Sequence, residues 1–305
     1  MLEILRVSEK GLQVLEKVES DCWINVVSPT EDDLKKLKQI IDIPNELLVS
    51  LQDIEEVPVI ESYENFNFIL IKTPYNNIQN ELEYYSVPIG IFMTNYFVIT
   101  VCYHDNDVLH KLKSQRFSFR KTQLAFRLLL VSARLYLNYL TEIKKKMYEI
   151  EKQLEKSQKN KVIMQLLEIE ESLVYFSTSL KSNEILLERI LQEGTLIKRP
   201  EDKKLIASAI DENKQAIEMT YTYSNILSNT LDAFASIISN NLNLVMKVLA
   251  SVTVVLSLPI LVASIYGMNI KLPFQTSPHA FIIVMVISFL LSILAVLFLW
   301  RNNYF

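Results

Sequence analysis

The chain has 305 residues, half of them hydrophobic, and a formal net charge of −4 at pH 7. That balance leaves no basic face for a nucleic acid, and the length allows one large domain or two modest ones. The charge is uneven: every Asp and Glu lies within residues 1–232, and from Ala233 to Phe305 the only fixed charges are Lys247, Lys271 and Arg301. A soluble acidic body joined to a lipid-compatible tail is therefore expected.

The start, Met1-Leu2-Glu3-Ile4, lacks the basic and apolar regions of a signal peptide, so the body is expected in the cytoplasm. Cys22 and Cys102 have no metal-site spacing and sit in apolar runs, as buried reduced thiols do. Cys22 to Val27 reads as a short strand. Ser28-Pro29-Thr30-Glu31 reads as a capping box with proline at the first helical position, predicting a helix from Pro29 to Ile41. Ile43-Pro44-Asn45 restarts a second short helix through Leu51. Strand candidates follow at Val57–Tyr63, Asn67–Lys72, Tyr85–Met93 and Phe97–Cys102, rich in β-branched and aromatic residues and separated by Asn- or Pro-containing turns. A small sheet flanked by helices is predicted for an N-terminal α/β domain, residues 1–115.

Between Pro88 and Pro200 there is no proline, and between Gly90 and Gly194 no glycine, the mark of long helices. From Leu166, apolar residues recur at Ile169, Leu173, Phe176, Leu180, Leu187 and Ile190, with Asn183 in the one polar slot. A second register runs Ile206, Ile210, Ile217, Leu227, Leu231, Phe234 and Ile238. Both are coiled-coil-like seams. Gly194 to Pro200 separates them, so the two segments are expected to pack as antiparallel neighbours in a long-helix stalk, residues 116–246.

The last of these helices is predicted to run from Lys203 to Tyr266, roughly 95 Å at 1.5 Å per residue. It passes through Val248–Tyr266, nineteen residues without a charge. Only its final ~30 Å would lie in lipid, where Pro259 is tolerated inside a bundle. Ala280–Trp300 is a second uncharged span of twenty-one residues. Ser288, Ser292 and Ala295 put small residues on one of its faces, and Trp300, Tyr304 and Arg301 fit a cytoplasmic interface. The fold class is thus α+β with a membrane part: an α/β domain, long helices and two C-terminal transmembrane helices, residues 247–305. Both termini are expected inside, with 267–279 as a short outer loop.

Enzyme chemistry finds no motif. Four scattered glycines make no phosphate-cradling loop. His104, His110 and His279 form no ligand pair, and no Cys–His nucleophile spacing stands out. The first span carries more information. Asn243, Met246, Ala250, Thr253, Ser257, Ile260 and Ser264 recur at three- and four-residue steps as a small or polar stripe on a Val/Leu-rich helix. Such a stripe serves helix packing or pore lining equally.

Tyr266-Gly267-Met268-Asn269, at the end of that span, resembles the signature of the CorA family of divalent-cation channels. Asn243-Leu244-Val245-Met246-Lys247-Val248-Leu249 resembles the start of that family's pore helix, and the succession of α/β domain, long helices and two spans is similar over the whole chain. The resemblance implies a homopentamer in the plasma membrane, with the first span lining a pore for Mg2+ and with Co2+ and Ni2+ as further cargo. It implies a selectivity mouth at Tyr266, Gly267, Met268 and Asn269, with the scarce Gly267 shaping a turn that a side chain would obstruct. It further implies a hydrophobic constriction at Met246 and Leu249 above a polar ring at Asn243. Cytoplasmic divalent ions would gate the pore, with Asp211 and Glu212 near the corresponding helix region. No cofactor is implied beyond Mg2+ as transported and regulatory ion. Two departures stand out. The family's Met-Pro-Glu-Leu loop element is replaced by Ile270-Lys271-Leu272-Pro273-Phe274-Gln275, and Ser257 and Ile260 replace a methionine and a threonine of the stripe. A proton-coupled zinc transporter of the same superfamily and a non-conducting membrane-anchored coiled-coil scaffold are the competing expectations.

Overall fold

The computed structural model describes residues 1–8, 11–77, 83–115, 120–156, 160–274, 277–302 and 304. They divide into two compact units, Met1–Ser228 and Asn229–Phe305.

The first unit is built on a seven-stranded sheet. Its strands are β1 (Leu2–Ser8), β2 (Gly11–Leu15), β3 (Trp23–Val27), β4 (Val59–Ser62), β5 (Phe66–Asn76), β6 (Tyr84–Thr94) and β7 (Val98–Cys102), in the order β2-β1-β3-β7-β6-β5-β4. Every pairing is antiparallel except β3 with β7. Side chains alternate across the sheet. Ile24, Val26, Phe66, Phe68, Leu70, Phe92, Ile99 and Val101 form one core with Leu37, Leu47, Leu48 and Leu51 from α1 (Glu31–Ile40) and α2 (Asn45–Ser50) and the turn that follows it. The opposite face is covered by α3 (Asp107–Ser114), α4 (Lys121–Lys156) and α5 (Asn160–Glu193). Gly90 is required where α2 approaches the sheet, since a Cβ there would lie 2.5 Å from Leu51 Cδ1.

The capping box sits two residues later than the sequence suggests. Thr30 accepts from Asp33 N at 3.2 Å, and Asp33 accepts from Thr30 N at 3.1 Å. Ser28 is unavailable because it adopts φ 44° and binds the end of β7, donating from N to Cys102 O at 2.8 Å and from Oγ to Tyr103 O at 3.2 Å. Pro29 therefore lies outside the helix. β5 runs four residues past its predicted end. Its outer edge is free beyond the β4 pairing, and there Asn183 of α5 stands in for a neighbouring strand. It accepts from Lys72 N at 3.0 Å and donates to Lys72 O at 2.7 Å. The polar slot in the α5 seam is thus an edge cap for the sheet. Opposite it, Pro88 of β6 pairs with Lys72 without needing to donate toward β5.

The α5 seam residues Leu166, Ile169, Leu173, Phe176, Leu180, Leu187 and Ile190 are all buried. Gly194 closes the helix at φ 65°, donating to Ile190 O at 3.2 Å. The chain then turns into α6 (Pro200–Tyr266), where Asn213 donates to Leu180 O at 2.9 Å and Lys214 pairs with Glu184 and Glu188. In α6 the seam is buried at Ile206, Ile210 and Leu227, whereas Leu231 and Phe234 are only partly covered and Ile238 is exposed. The seam pattern in the sequence outlasts the partners available within one chain.

Both cysteines are buried and free. His110 Nε2 lies 2.7 Å from Asp105, and the half-buried His104 ring packs against Tyr75, so both histidines are structural.

Candidate functional site

The second unit contains the end of α6 and α7 (Ala280–Arg301). Both helices are long and apolar enough to cross a membrane. Pro259 lies inside α6 and removes the donor that the Val255 carbonyl would otherwise receive. Several hydroxyls on these helices are satisfied locally, as suits an apolar surrounding. Ser251 donates to Lys247 O at 2.8 Å, Ser288 to Val284 O at 2.9 Å and Ser292 to Ser288 O at 3.1 Å.

Along the two apolar spans burial follows two narrow stripes. On α6 it falls on Ser251, Val255, Leu258, Pro259, Val262 and Tyr266, and on α7 on Ala280, Ile283, Val284, Ser288, Ser292, Ala295 and Leu299. The small residues of α7 lie on its sheltered face, so close packing is their use. The polar stripe of α6 has no such use. Thr253, Ser257, Ile260 and Ser264 each stand two positions from a sheltered residue, about half a turn around the helix, and all four are exposed. Asn243, Met246 and Leu249 continue the exposure toward the helix interior. Of the two uses that periodicity leaves open, packing within the chain is excluded for this stripe.

Thr253 donates to Leu249 O at 2.8 Å and Ser257 to Val254 O at 2.9 Å. Each hydroxyl proton is turned back to the helix, leaving the oxygen lone pairs to face outward as acceptors.

The turn after α6 follows from the same local bonding. Gly267 N donates to Ala263 O at 2.9 Å and Met268 N to Ile265 O at 3.2 Å. Tyr266 Oη reaches across the loop to Pro273 O at 3.3 Å. Gly267 does not use a left-handed backbone, and an added Cβ would crowd Ala263 O at 3.3 Å and sit in ordinary contact with Ser264 O at 3.6 Å. The expected obstruction is therefore a mild steric one, not a forbidden dihedral. Asn269 is exposed, and its carboxamide has no partner among the described residues. Lys271 is also exposed, and no Asp or Glu occurs after Asp232. Gln275 lies outside the described residues.

Asp211 is exposed, while Glu212 accepts from Arg134 Nε at 3.0 Å. The two do not converge, and no group of three or more His, Cys, Asp or Glu side chains suited to a metal occurs among the described residues. What sequence reading missed is the α6 face toward α7. Its signal was available in the small residues of α7, which mark a partner face without naming it.

Comparison with known proteins places the chain as a whole. Residues 19–301 match the family model described as CorA-like Mg2+ transporter protein. The cobalt/magnesium transport protein CorA of Methanocaldococcus jannaschii is 27% identical over 294 residues, spanning 92% of this chain and 90% of that protein. Its counterpart in Thermotoga maritima is 24% identical over 259 residues, spanning 82% and 73%. The complete structure of the CorA magnesium transporter from Methanocaldococcus jannaschii matches with a TM-score of 0.87 at 25% identity, covering 100% of this chain and 99% of that one. With the family model matched across nearly the whole chain, from the sheet through both apolar helices, this chain belongs to the CorA-like Mg2+ transporter family.

Proposed function

We propose that the chain is one subunit of a homopentameric plasma-membrane channel for divalent cations, carrying Mg2+ and also Co2+ or Ni2+, with both termini in the cytoplasm. One observation carries this reading: the polar stripe of α6 is exposed half a turn from the sheltered face of that helix, and its Thr253 and Ser257 hydroxyls bond only to their own helix. In a ring of subunits α6 then lines the axis and α7 stands toward lipid. The lower seam, with Phe234 partly covered and Ile238 exposed, is completed by neighbouring copies.

The chemistry of the stripe suits a hydrated ion. Mg2+ dehydrates reluctantly and favours octahedral oxygen geometry. Outward lone pairs of Thr253 and Ser257 accept from its water shell, the exposed Ser264 hydroxyl continues the line, and five Asn269 carboxamides form the mouth. Without carboxylates the ion is held weakly enough to leave. Lys271 beside the mouth opposes simple cation attraction, so selection rests on hydrated size and amide oxygens. Met246 and Leu249 form a constriction that closes by dewetting, with Asn243 as a polar ring beneath it. Inward movement of two charges needs no ATP, being favoured by roughly 4.6 kcal/mol at about 100 mV. Gating by cytoplasmic divalent ions draws on Asp211 and Glu212 together with carboxylates of a neighbouring subunit, and it requires Glu212 to be released from Arg134.

Purified protein in liposomes under an inside-negative potential tests this. The expected result is Mg2+ influx without a pH gradient, reduced by roughly tenfold or more in Asn269→Ala if the mouth loses about 1.4 kcal/mol of stabilisation. Flux that needs a proton gradient and prefers Zn2+ would assign the zinc-transporter alternative. Absence of any conductance, with a native mass other than five subunits, would assign the scaffold.

A further inference from the structure

Among the described residues, three that are not glycine adopt the left-handed backbone region: Asp21 at φ 58°, Ser28 at φ 44° and Phe274 at φ 69°. Short polar side chains enter this region readily, whereas a bulky one meets a steric cost there. Phe274 is the outlier, and burial of its ring is not what holds it, because the residue is 59% exposed. The backbone on each side is held instead. Tyr266 Oη donates to Pro273 O at 3.3 Å, and Ser277 N donates to Phe274 O at 3.0 Å. Ala280 N then donates to Ser277 O at 3.1 Å, so two successive turns tie Phe274 to the first residue of α7. A position where glycine would be unstrained thus carries a large apolar ring, held out of the loop at the end of an apolar helix.

The surroundings of the ring name what it meets. Phe281, in the first turn of α7, is 76% exposed, and Ile270 and Ile282 are exposed as well. No charged residue lies between Lys271 and Arg301. Phe281 and Trp300 are nineteen positions apart, about 28 Å along the helix. That length matches a hydrocarbon core of roughly 30 Å. Trp300, Arg301 and Tyr304 mark one interface at the far end. Phe281 then lies at the opposite edge of the core, and Phe274, tied to the same helix end, lies just beyond it at headgroup level.

We propose that Phe274 is a lipid anchor: its ring enters the boundary between headgroups and acyl chains at the loop end of α7. Apolar burial in that boundary offsets the cost of the left-handed backbone, whereas an aqueous loop offers nothing against it. Because Tyr266 holds Pro273, the depth of Phe274 also sets the height of the loop that carries Asn269. The inference rests on both apolar helices spanning the membrane, and not on ion conduction.

Nitroxide labels on Phe274→Cys and Lys271→Cys, in the full-length protein in lipid vesicles, test the anchor; both native cysteines are buried. Relaxation of each label by oxygen, which concentrates among acyl chains, is compared with relaxation by a neutral water-soluble chelate. Oxygen should dominate at Phe274→Cys and the chelate at Lys271→Cys. Since the cysteine variant removes the ring itself, Phe274→Trp supplies a second reading. Its fluorescence in excess of wild type should be quenched by lipids brominated on the upper acyl chain and spared by aqueous iodide. Dominance of the chelate at Phe274→Cys, or quenching of the added tryptophan by iodide, would place the ring in water and overturn the proposal. Exclusion of both relaxing agents, with spin broadening between labels, would seat the ring against a second copy and overturn it too. Neither reading needs conductance, so a lipid-buried Phe274 in a protein that passes no ions would reject the channel and keep the anchor.

Discussion

The two units of this chain satisfy their polar groups in opposite ways. In residues 1–228 the buried groups mostly find partners inside the chain. Trp23 Nε1 donates to Thr100 Oγ1 at 2.9 Å, Thr100 Oγ1 to Asn25 Oδ1 at 2.8 Å, and Asn183 completes the free edge of β5. In residues 229–305 large apolar side chains such as Leu256, Phe281 and Phe289 are exposed, and the polar stripe of α6 meets nothing. The first unit is a fold complete in itself. The second leaves its apolar and polar surfaces uncovered, and on the proposed reading lipid and other copies complete it. A polar side chain in the first unit is thus a stability element, and on the proposed reading the exposed stripe in the second meets cargo.

Substitutions sharpen that contrast. Asn183→Leu should act most strongly, because it strands Lys72 N–H and C=O at a buried strand edge. The expected cost is about 2–4 kcal/mol, read as a fall in apparent melting temperature of about 2–4 °C per kcal/mol. Gly90→Ala comes next: its Cβ would force Leu51 out of its place on the sheet, at about 1–3 kcal/mol by the same measurement. A smaller effect concerns Cys102, whose thiol burial pushes up to about 12. Its stabilising contribution is complete below the unfolded-state value of about 8.5 and is lost as pH rises from there toward 12. A melting series over that range should therefore fall less steeply in Cys102→Ala, and iodoacetamide at pH 8 should label the native protein at neither cysteine. Gly267→Ala should be the mildest, within about 0.5 kcal/mol, since only Ala263 O must give way. A loss comparable to that of Gly90→Ala would mean that the turn is under constraints a single chain does not reveal.

Much of this was legible beforehand because periodicity records which face is covered. The α5 seam, the central strands and both apolar spans were read nearly to their ends. Boundaries failed where a distant group decided the outcome. Ser28 could not cap α1 because the end of β7 claims it, and β5 outran its predicted end because Asn183 arrives from α5, 111 residues away. β1, β2 and α3 were missed for a related reason. Leu2–Ser8 and Gly11–Leu15 become strands through pairing with one another and with β3, which no local pattern announces. At the candidate site the residues of the stripe were legible but its direction was not. Spacing places Thr253, Ser257, Ile260 and Ser264 on one line, and only the location of α7 on the opposite face shows what that line does not do.

The most direct test uses the geometry of α6 itself. Ser257→Cys lies on the exposed stripe and Val255→Cys about half a turn away on the sheltered face, and both native thiols are buried. Mg2+ flux in liposomes is measured before and after a water-soluble, charged thiol reagent. Block in Ser257→Cys with Val255→Cys and wild type unaffected is the predicted result. Equal sensitivity of the two, or block in Val255→Cys alone, would contradict a pore lined by this face of α6.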